Sequence, residues 1–137
     1  MTIQLSQAVR NGMLDAWETA IGVSAVVKLR SGAQPADTSA SDSGTVIATF
    51  TLASDWAAAA ASGSKSFSSL PLQDLSADAA GTLGHYRIYA TGGTTCHEQG
   101  SITATGGGGD MTVDNTVVAL AQPINITAWT KNMAAHA

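Results

Sequence analysis

Two β-rich runs flank the dipeptide Gly92-Gly93 within residues 82–105, and no other pattern in the chain constrains the fold as strongly. Glycine adopts a positive φ without a steric penalty, as both central residues of a type I′ turn must, so the dipeptide predicts a two-residue hairpin loop. A loop centred on these glycines places Arg87 directly opposite Glu98. Such a pair of opposite charges contributes about 0.2 to 1 kcal/mol. The turn and the charges therefore predict the same register.

An amphipathic helix is predicted ahead of the strands, with Ser6 as its N-cap and Gly22 as its stop. Its apolar or small residues recur at helical spacing: Leu5, Ala8, Val9, Gly12, Met13, Ala16, Trp17, Ala20 and Ile21. We expect this stripe to lie against a sheet or across the end of a sandwich, with Gly12 and Ala16 allowing a close approach. A helix that binds a partner is the alternative.

Short strands separated by Gly, Ser and Pro turns are predicted over most of the remaining chain. Outside the hairpin they cover residues 23–30, 45–52, 65–70, 110–113, 116–120 and 124–129. This spacing predicts an all-β fold, a β-sandwich of jelly-roll-like form, with one N-terminal amphipathic helix. The length of 137 residues predicts a single domain, with the helix in 1–22, the sandwich in 23–131 and a loose tail in 132–137. In the last strand, alternation places Trp129 on the face opposite Ile124 and Ile126.

The segment from Ser54 to Ala61 carries a different pattern. Ser54 and Asp55 precede Trp56 and five alanines, which is typical of a capped helix of one or two turns. We expect Trp56 to anchor this turn to the core, an exposed interface aromatic being the alternative.

The sequence contains no grouping of histidine, cysteine or acidic residues that is typical of a catalytic or metal site. In the predicted register His85 and His97 point to opposite faces, as do the neighbours Cys96 and His97. The run Gly106–Gly109 lacks the Gly-Lys-Ser/Thr ending of a phosphate loop and predicts a flexible turn. We therefore expect no enzyme activity, no cofactor and no metal site.

Charge and hydropathy narrow the possible partners. The net charge is −4 and only 12% of the residues are charged, which argues against binding to nucleic acid. The longest apolar run, Ala57–Ala61, is far shorter than the ~20 residues that span a bilayer, and the N-terminus lacks a signal-peptide pattern. The single cysteine, Cys96, excludes an internal disulfide. These features predict a protein made in the cytoplasm, whose weakly charged surface suits burial against other protein.

Several segments, in this order, carry a family likeness: LSQAVRNGMLDAW, LRSGAQP, VIATFTLASDWAAAAASGS, GHYRIYATGGTTCHEQGSIT, GGGGDMTVDNTVVA and INITAWT. Together they cover nearly the whole chain, and the chain resembles the small virion structural proteins of tailed bacteriophages, of the cement or decoration kind. The resemblance implies a place on the capsid exterior of the virion, the major capsid protein as partner, and a jelly roll or related sandwich. It implies no catalytic residues.

Two functions of different classes follow as expectations. The first is a cement protein that adds contacts across joints between capsid subunits. The second is a tail or fibre component, with a carbohydrate site built around one of the aromatic residues Trp56, Tyr89 or Trp129.

For the first function we expect subunit contacts on the loops 31–44 and 71–81 and around Trp56, and the contact residues are predicted to be Trp56, Tyr89, Pro35 and Leu72. Threonine-rich strands, low charge and open sheet edges further predict a homo-oligomer, a dimer or trimer.

Overall fold

One α-helix and nine β-strands make up the protein in a computed structural model that describes residues 3–135. The elements are α1 (Gln7–Ile21), β1 (Val26–Ser31), β2 (Val46–Thr51), β3 (Ser64–Ser66), β4 (Leu72–Asp74), β5 (Gly81–Tyr89), β6 (Cys96–Ala104), β7 (Met111–Val113), β8 (Val117–Val118) and β9 (Ile124–Asn132). The strands form one mixed sheet in the order β2-β1-β5-β6-β7-β9-β3, with β4 paired to β9 and β8 paired to β5. This curled sheet confirms the predicted all-β, sandwich-like class with one N-terminal helix. The finer jelly-roll description stays a prediction.

The boundaries of α1 follow from local signals. The Ser6 hydroxyl accepts a hydrogen bond from the Val9 amide at 3.3 Å, and the Gly22 amide donates to the Glu18 carbonyl. Both ends confirm the predicted cap and stop. Within residues 3–135 no helix is long and apolar enough to cross a membrane.

The face that α1 buries overlaps the predicted stripe only at Trp17 and Ile21. Leu14 and Ile21 are buried and Trp17 is half-buried, whereas most of the predicted apolar stripe is exposed. A Cβ added to Gly12 would have no atom within 4 Å, so the expected close approach at this residue is wrong. The reason is that the polar side of the helix, which also carries Leu14, packs against the chain between residues 56 and 66.

The hairpin of β5 and β6 forms, but its register differs from the prediction. Tyr89 faces Cys96 as expected, and a bulge beyond this pair then shifts every later partner by one residue. Arg87 consequently faces Gln99 and not Glu98, so the predicted cross-strand ion pair is wrong. A bulge of this kind opposes two residues to one and re-aims the side chains that follow it.

The turn of this hairpin is also longer than predicted. Ala90 donates a backbone hydrogen bond to Thr95 at 2.9 Å, which leaves four residues in the loop. Gly92 and Gly93 do adopt the expected positive φ, at 90° and 72°. The prediction of a two-residue loop is therefore wrong, although Gly92 and Gly93 adopt the backbone conformation on which the prediction was based.

The alanine run is extended and not helical. Ala57 pairs with Phe67, and Ala61 pairs with Ser64 around the tight turn Ser62-Gly63, whose φ values of 53° and 72° suit a type I′ loop. Five alanines are too few to hold a helix on their own, and helix propensity is a weak preference that tertiary contacts override. This two-stranded segment, residues 56–68, is called the alanine ribbon below.

Four aromatic rings meet in the core beneath α1. Trp129 stacks on Phe67 and on Trp17, with centroids 4.5 and 5.3 Å apart, and Trp56 packs edge-on against Trp17. Trp56 is 3% exposed, which confirms it as a core anchor. Trp129 is buried together with Ile124 and Ile126, because a register shift between β7 and β9 breaks the expected alternation.

The four consecutive glycines make a tight crossover. They lie in the short connection between β6 and β7, which run parallel, with Ile102 beside Met111. A Cβ on Gly107 or Gly109 would lie within 3.0 Å of Thr103, so side chains there would not fit without a shift. The run is thus a turn, as predicted, and it is packed closely on the strand that precedes it.

The predicted loose tail is wrong for its described part. β9 extends to Asn132, the Met133 amide donates to the Gly63 carbonyl at 2.8 Å, and the Leu5 amide donates to the Ala135 carbonyl at 2.8 Å. The tail residues His136 and Ala137 lie outside the described residues.

The free edge of β2 is partly covered by the segment 74–78. The Asp78 amide donates to the Ile47 carbonyl at 2.8 Å, and Asp74 accepts from the Thr49 amide at 3.3 Å. An edge occupied in this way is protected from pairing with another chain. The expectation of open sheet edges is therefore wrong at β2.

Candidate functional site

Two regions of the molecule carry unusual arrangements of side chains: a polar cluster under the loop 32–45, and the side of α1 that faces solvent. Among residues 3–135 no group of three His, Cys, Asp or Glu side chains lies close enough to hold a metal ion. His85 is buried and His97 is exposed, so the two rings do not meet.

Arg87 fastens the loop 32–45 to the outer face of the sheet. Its guanidinium donates to the carbonyls of Thr38 and Ala40 at 2.8 and 3.2 Å, and to Asp42. Its Nε donates to the Cys96 thiol at 3.1 Å. Arg87 is 1% exposed. The long loop is thus an ordered surface held by a buried cation.

Asp42 is the anion at the centre of this cluster. Its carboxylate accepts hydrogen bonds from Arg30 at 2.5 Å, from Tyr89 at 2.7 Å and from Arg87. Burial by itself would raise the pKa of Asp42, but the Tyr89 hydroxyl and the two guanidinium groups lower it overall. Burial and the bond to Asp42 raise the pKa of Tyr89 to about 12. Arg30 and Arg87 therefore hold two fixed positive charges against the one carboxylate of Asp42.

His85 and Cys96 border the cluster without forming a catalytic pair. The His85 Nδ1 lies 2.9 Å from the Gly32 carbonyl, which can only accept, so Nδ1 carries the proton. Burial lowers the pKa of His85, and the charges of the neighbouring arginines Arg30 and Arg87 act in the same direction. Burial raises the pKa of the Cys96 thiol despite the bond from Arg87. A raised pKa favours the protonated thiol, which donates to the Glu98 carbonyl at 3.2 Å.

An open cleft of about 540 Å³ lies beside this cluster. Its lining is rich in hydroxyl groups, and consists of Thr38, Ser39, Ala40, Ser41, Asp42, Arg87, Thr94, Thr95 and Cys96. The two charged groups in this lining, Asp42 and Arg87, already bond each other and the loop. The cleft consequently presents no free charge and no paired acid and base to a substrate.

The second region is the outer face of α1, defined by Ala8, Val9, Gly12, Met13, Ala16 and Ala20. All six residues are exposed, and the two largest, Val9 and Met13, are 48% and 46% exposed. A helix on a protein surface normally directs such residues inward and charged residues outward. In α1 the large apolar residues Leu14, Trp17 and Ile21 do face inward, and the outer face carries mainly small residues.

Lys65 holds two acidic residues of α1 against the body of the protein. Its ammonium lies 2.7 Å from both Asp15 and Glu18 of α1, and the residue is 3% exposed. Burial would lower the pKa of Lys65, but its bonds to the two carboxylates raise it overall. Those carboxylates also accept from the amides of Ala60 and Ala57 in the alanine ribbon. These bonds hold one side of α1 against the alanine ribbon and leave the outer face in solvent.

The predicted contact residues fall in different environments. Trp56 and Tyr89 are 3% and 1% exposed and offer almost no surface to a partner, while Pro35 and Leu72 are half-buried. Contact with a capsid subunit stays a prediction for all four residues. The burial of Trp56 and Tyr89 argues against such a contact at these two. Trp129, the third aromatic considered for a carbohydrate site, is also buried.

The sequence interpretation missed Asp42, Lys65 and the outer face of α1. One available signal was Leu14, a large apolar residue on the side of the helix predicted to be polar. The sequence held no comparable signal for Asp42, whose partner Arg87 lies 45 residues further along the chain.

Comparison of the chain with protein-family models, with curated proteins and with solved structures found no significant match.

Proposed function

We propose that this chain is a structural protein of a virus particle that binds the outside of the assembled capsid and cements joints between capsid subunits. The single observation that carries the proposal is the outer face of α1. Apolar residues held rigidly in solvent are typical of a surface that another protein covers. The resemblance of the sequence to phage decoration proteins supplies the kind of partner, the major capsid protein.

The ordered loops support a binding role. The loop 32–45 is held by the buried guanidinium of Arg87, and the segment 74–78 is fixed along β2. Surfaces that are already ordered lose little conformational entropy when they bind. A protein built in this way can act as a rigid clamp without any catalytic step.

Cementing would follow from mass action. A protein that binds the assembled lattice, and not the separated subunits, stabilises the lattice by its binding free energy at each equivalent site. Since the surface carries few charges, the contact should be mostly apolar and neutral, and should depend weakly on ionic strength. We also propose that copies meet on the lattice as dimers or trimers; the low charge supports this, whereas the covered edge of β2 does not.

The test compares particles that contain the chain with particles that lack it. Under this proposal the chain is present in hundreds of copies, and shells without it open at a lower temperature. Equal thermal stability of the two kinds of particle would refute cementing. A few copies per particle would instead favour the tail or fibre component.

A further inference from the structure

Polar contacts fasten the loop 32–45 to the outer face of the sheet. Every residue of the loop is exposed or half-buried, so the loop adds no side chain to the buried core. Its bonds to the sheet come from side chains of β1, β5 and β6, namely Arg30, His85, Arg87, Tyr89 and Gln99. A segment with few buried apolar contacts opens at a lower free energy than the core. The loop can therefore leave the sheet while the rest of the fold persists.

Among these side chains, His85 changes its charge closest to neutral pH. The residue is 1% exposed, and its Nδ1 donates to the Gly32 carbonyl at 2.9 Å, at the start of the loop. Its other ring nitrogen, Nε2, is buried and has no hydrogen-bond partner within residues 3–135. In the neutral ring Nε2 is only an acceptor. A second proton would turn it into a buried, charged donor without an acceptor, which is costly.

The nearest charges on the strands around His85 are positive. Arg30 faces His85 across the β1–β5 ladder, and Arg87 lies two residues along β5 on the same face of the sheet. Lys28, the next residue of β1 on this face, donates to the Gly93 carbonyl at 2.8 Å. A proton on His85 would therefore place a third positive charge beside two guanidinium groups.

The carboxylates near His85 already have partners. Asp42 of the loop accepts from both of these arginines, and Asp37 accepts from residues of the loop itself. On β6 the residue that faces His85 is Ser101, whose amide and hydroxyl donate to Asp110 at 2.9 and 2.7 Å. Burial lowers the pKa of His85, the two arginines act in the same direction, and the charge of Asp42 opposes them without reversing the shift. The closed loop therefore favours the neutral ring.

We propose that the loop 32–45 is an acid-released flap, which opens when His85 binds a proton and uncovers the outer face of β1 and β5. In the open form water can accept from both ring N–H groups, so protonation and opening favour each other. The exposed ring binds its proton at an ordinary pKa of about 6.5, whereas the covered ring does so only at lower pH. Closure is therefore favoured at neutral pH and weakens as the pH falls below about 6.5. The uncovered face carries Lys28, Arg30 and Arg87, half of the six Lys and Arg residues of the chain, and becomes a cationic surface.

Amide exchange of the purified full chain tests the flap, with the rates converted to protection factors so that the pH dependence of chemical exchange cancels. Below about pH 6.5 the protection of the loop amides, such as that of Thr45, should fall by up to about tenfold per pH unit. Low concentrations of denaturant should leave this opening unchanged, because it exposes little surface. Tryptophan fluorescence should stay native at about pH 5, since the stacked tryptophans belong to the core and not to the flap.

A variant at position 85 identifies the titrating group. His85→Asn keeps a donor near the position of Nδ1 and cannot bind a proton, so its loop protection should not change with pH. His97→Asn is the matched control, because His97 is exposed and its loss should leave the pH dependence of the natural chain in place. If His85→Asn does not fold, the ring titration of His85 in the natural chain, followed by NMR, must coincide with the loss of loop protection.

The outcomes decide whether His85 opens the loop. Loss of protection in the natural chain and in His97→Asn, but not in His85→Asn, supports the flap. Loop protection that stays constant down to about pH 5 overturns it. Loss of protection that persists in His85→Asn, or that does not follow the ring titration, assigns the opening to another group and also overturns it. Equal dependence on denaturant in the loop and in the core would show global unfolding in place of a flap.

Discussion

Replacing Lys65 with methionine tests whether a buried ion pair sets the orientation of α1. The substitution keeps a long apolar stem and removes the ammonium that lies 2.7 Å from both Asp15 and Glu18. The Asp15 side chain is 50% exposed and regains water, whereas that of Glu18 is only 19% exposed and keeps a largely buried charge. Breaking a fully buried pair costs about 3 to 5 kcal/mol, and an exposed pair contributes about 0 to 1 kcal/mol. We therefore expect a loss of about 2 to 3 kcal/mol.

The loss can be measured by denaturant unfolding followed through tryptophan fluorescence, since Trp17 of α1 packs directly against Trp56. In a chain of 137 residues, each kcal/mol corresponds to a shift in Tm of about 4 °C, so the variant should melt about 8 to 12 °C lower. Lys28→Met is the control, because its ammonium donates to the Gly93 carbonyl at 2.8 Å and its loss leaves no carboxylate unpaired, so it should cost about 1 kcal/mol or less.

A double variant isolates the cause. Adding Glu18→Gln to Lys65→Met removes the unpaired charge and retains an oxygen that can accept from the Ala57 amide, so about 1 kcal/mol should return. If Lys65→Met costs no more than Lys28→Met, or if the double variant recovers nothing, the ion pair does not hold the helix and this explanation of its orientation is wrong.

Three further predictions concern separate sites. Gly12→Ala should stabilise the fold by about 0.5 to 1 kcal/mol in thermal melts, because the added methyl meets no atom and alanine is the better helix former; a destabilised variant would contradict the exposed position of Gly12. Since burial lowers the pKa of His85, the unfolded chain binds a proton at higher pH than the folded chain. The free energy of unfolding should therefore fall as the pH drops below about 6.5, less so in His85→Gln, and as before in a His97→Gln control. Arg87→Met should make the loop 32–45 a site of rapid proteolysis and amide exchange, and an unchanged exchange rate would show that the loop is ordered by other contacts.

Features set by neighbouring residues could be predicted from the sequence. Ser6 and Gly22 fixed both ends of α1, and the strand predicted at 45–52 formed as β2, Val46–Thr51. The positive φ of Gly92 and Gly93 was also predicted, since glycine adopts it at low cost.

Features set by distant partners could not be predicted. The side of α1 that turns inward depends on Lys65, which lies 50 residues from Asp15 in the sequence. The hairpin register was expected to pair Arg87 with Glu98, yet Arg87 bonds Asp42 and Glu98 bonds Lys131, each across more than 30 residues. Pairing rules that consider only the two strands of a hairpin favour the pair Arg87–Glu98. The partners that these residues bond in the structure, Asp42 and Lys131, are distant in the sequence and come close only in the folded protein. The short helix predicted for the alanine run was wrong for the same reason, because the run pairs with later residues of the alanine ribbon.

The bond between the Leu5 amide and the Ala135 carbonyl brings two distant parts of the chain side by side. The segment that precedes α1 and the segment that follows β9 therefore support each other, and we expect amide exchange to quicken in both together when either one is loosened.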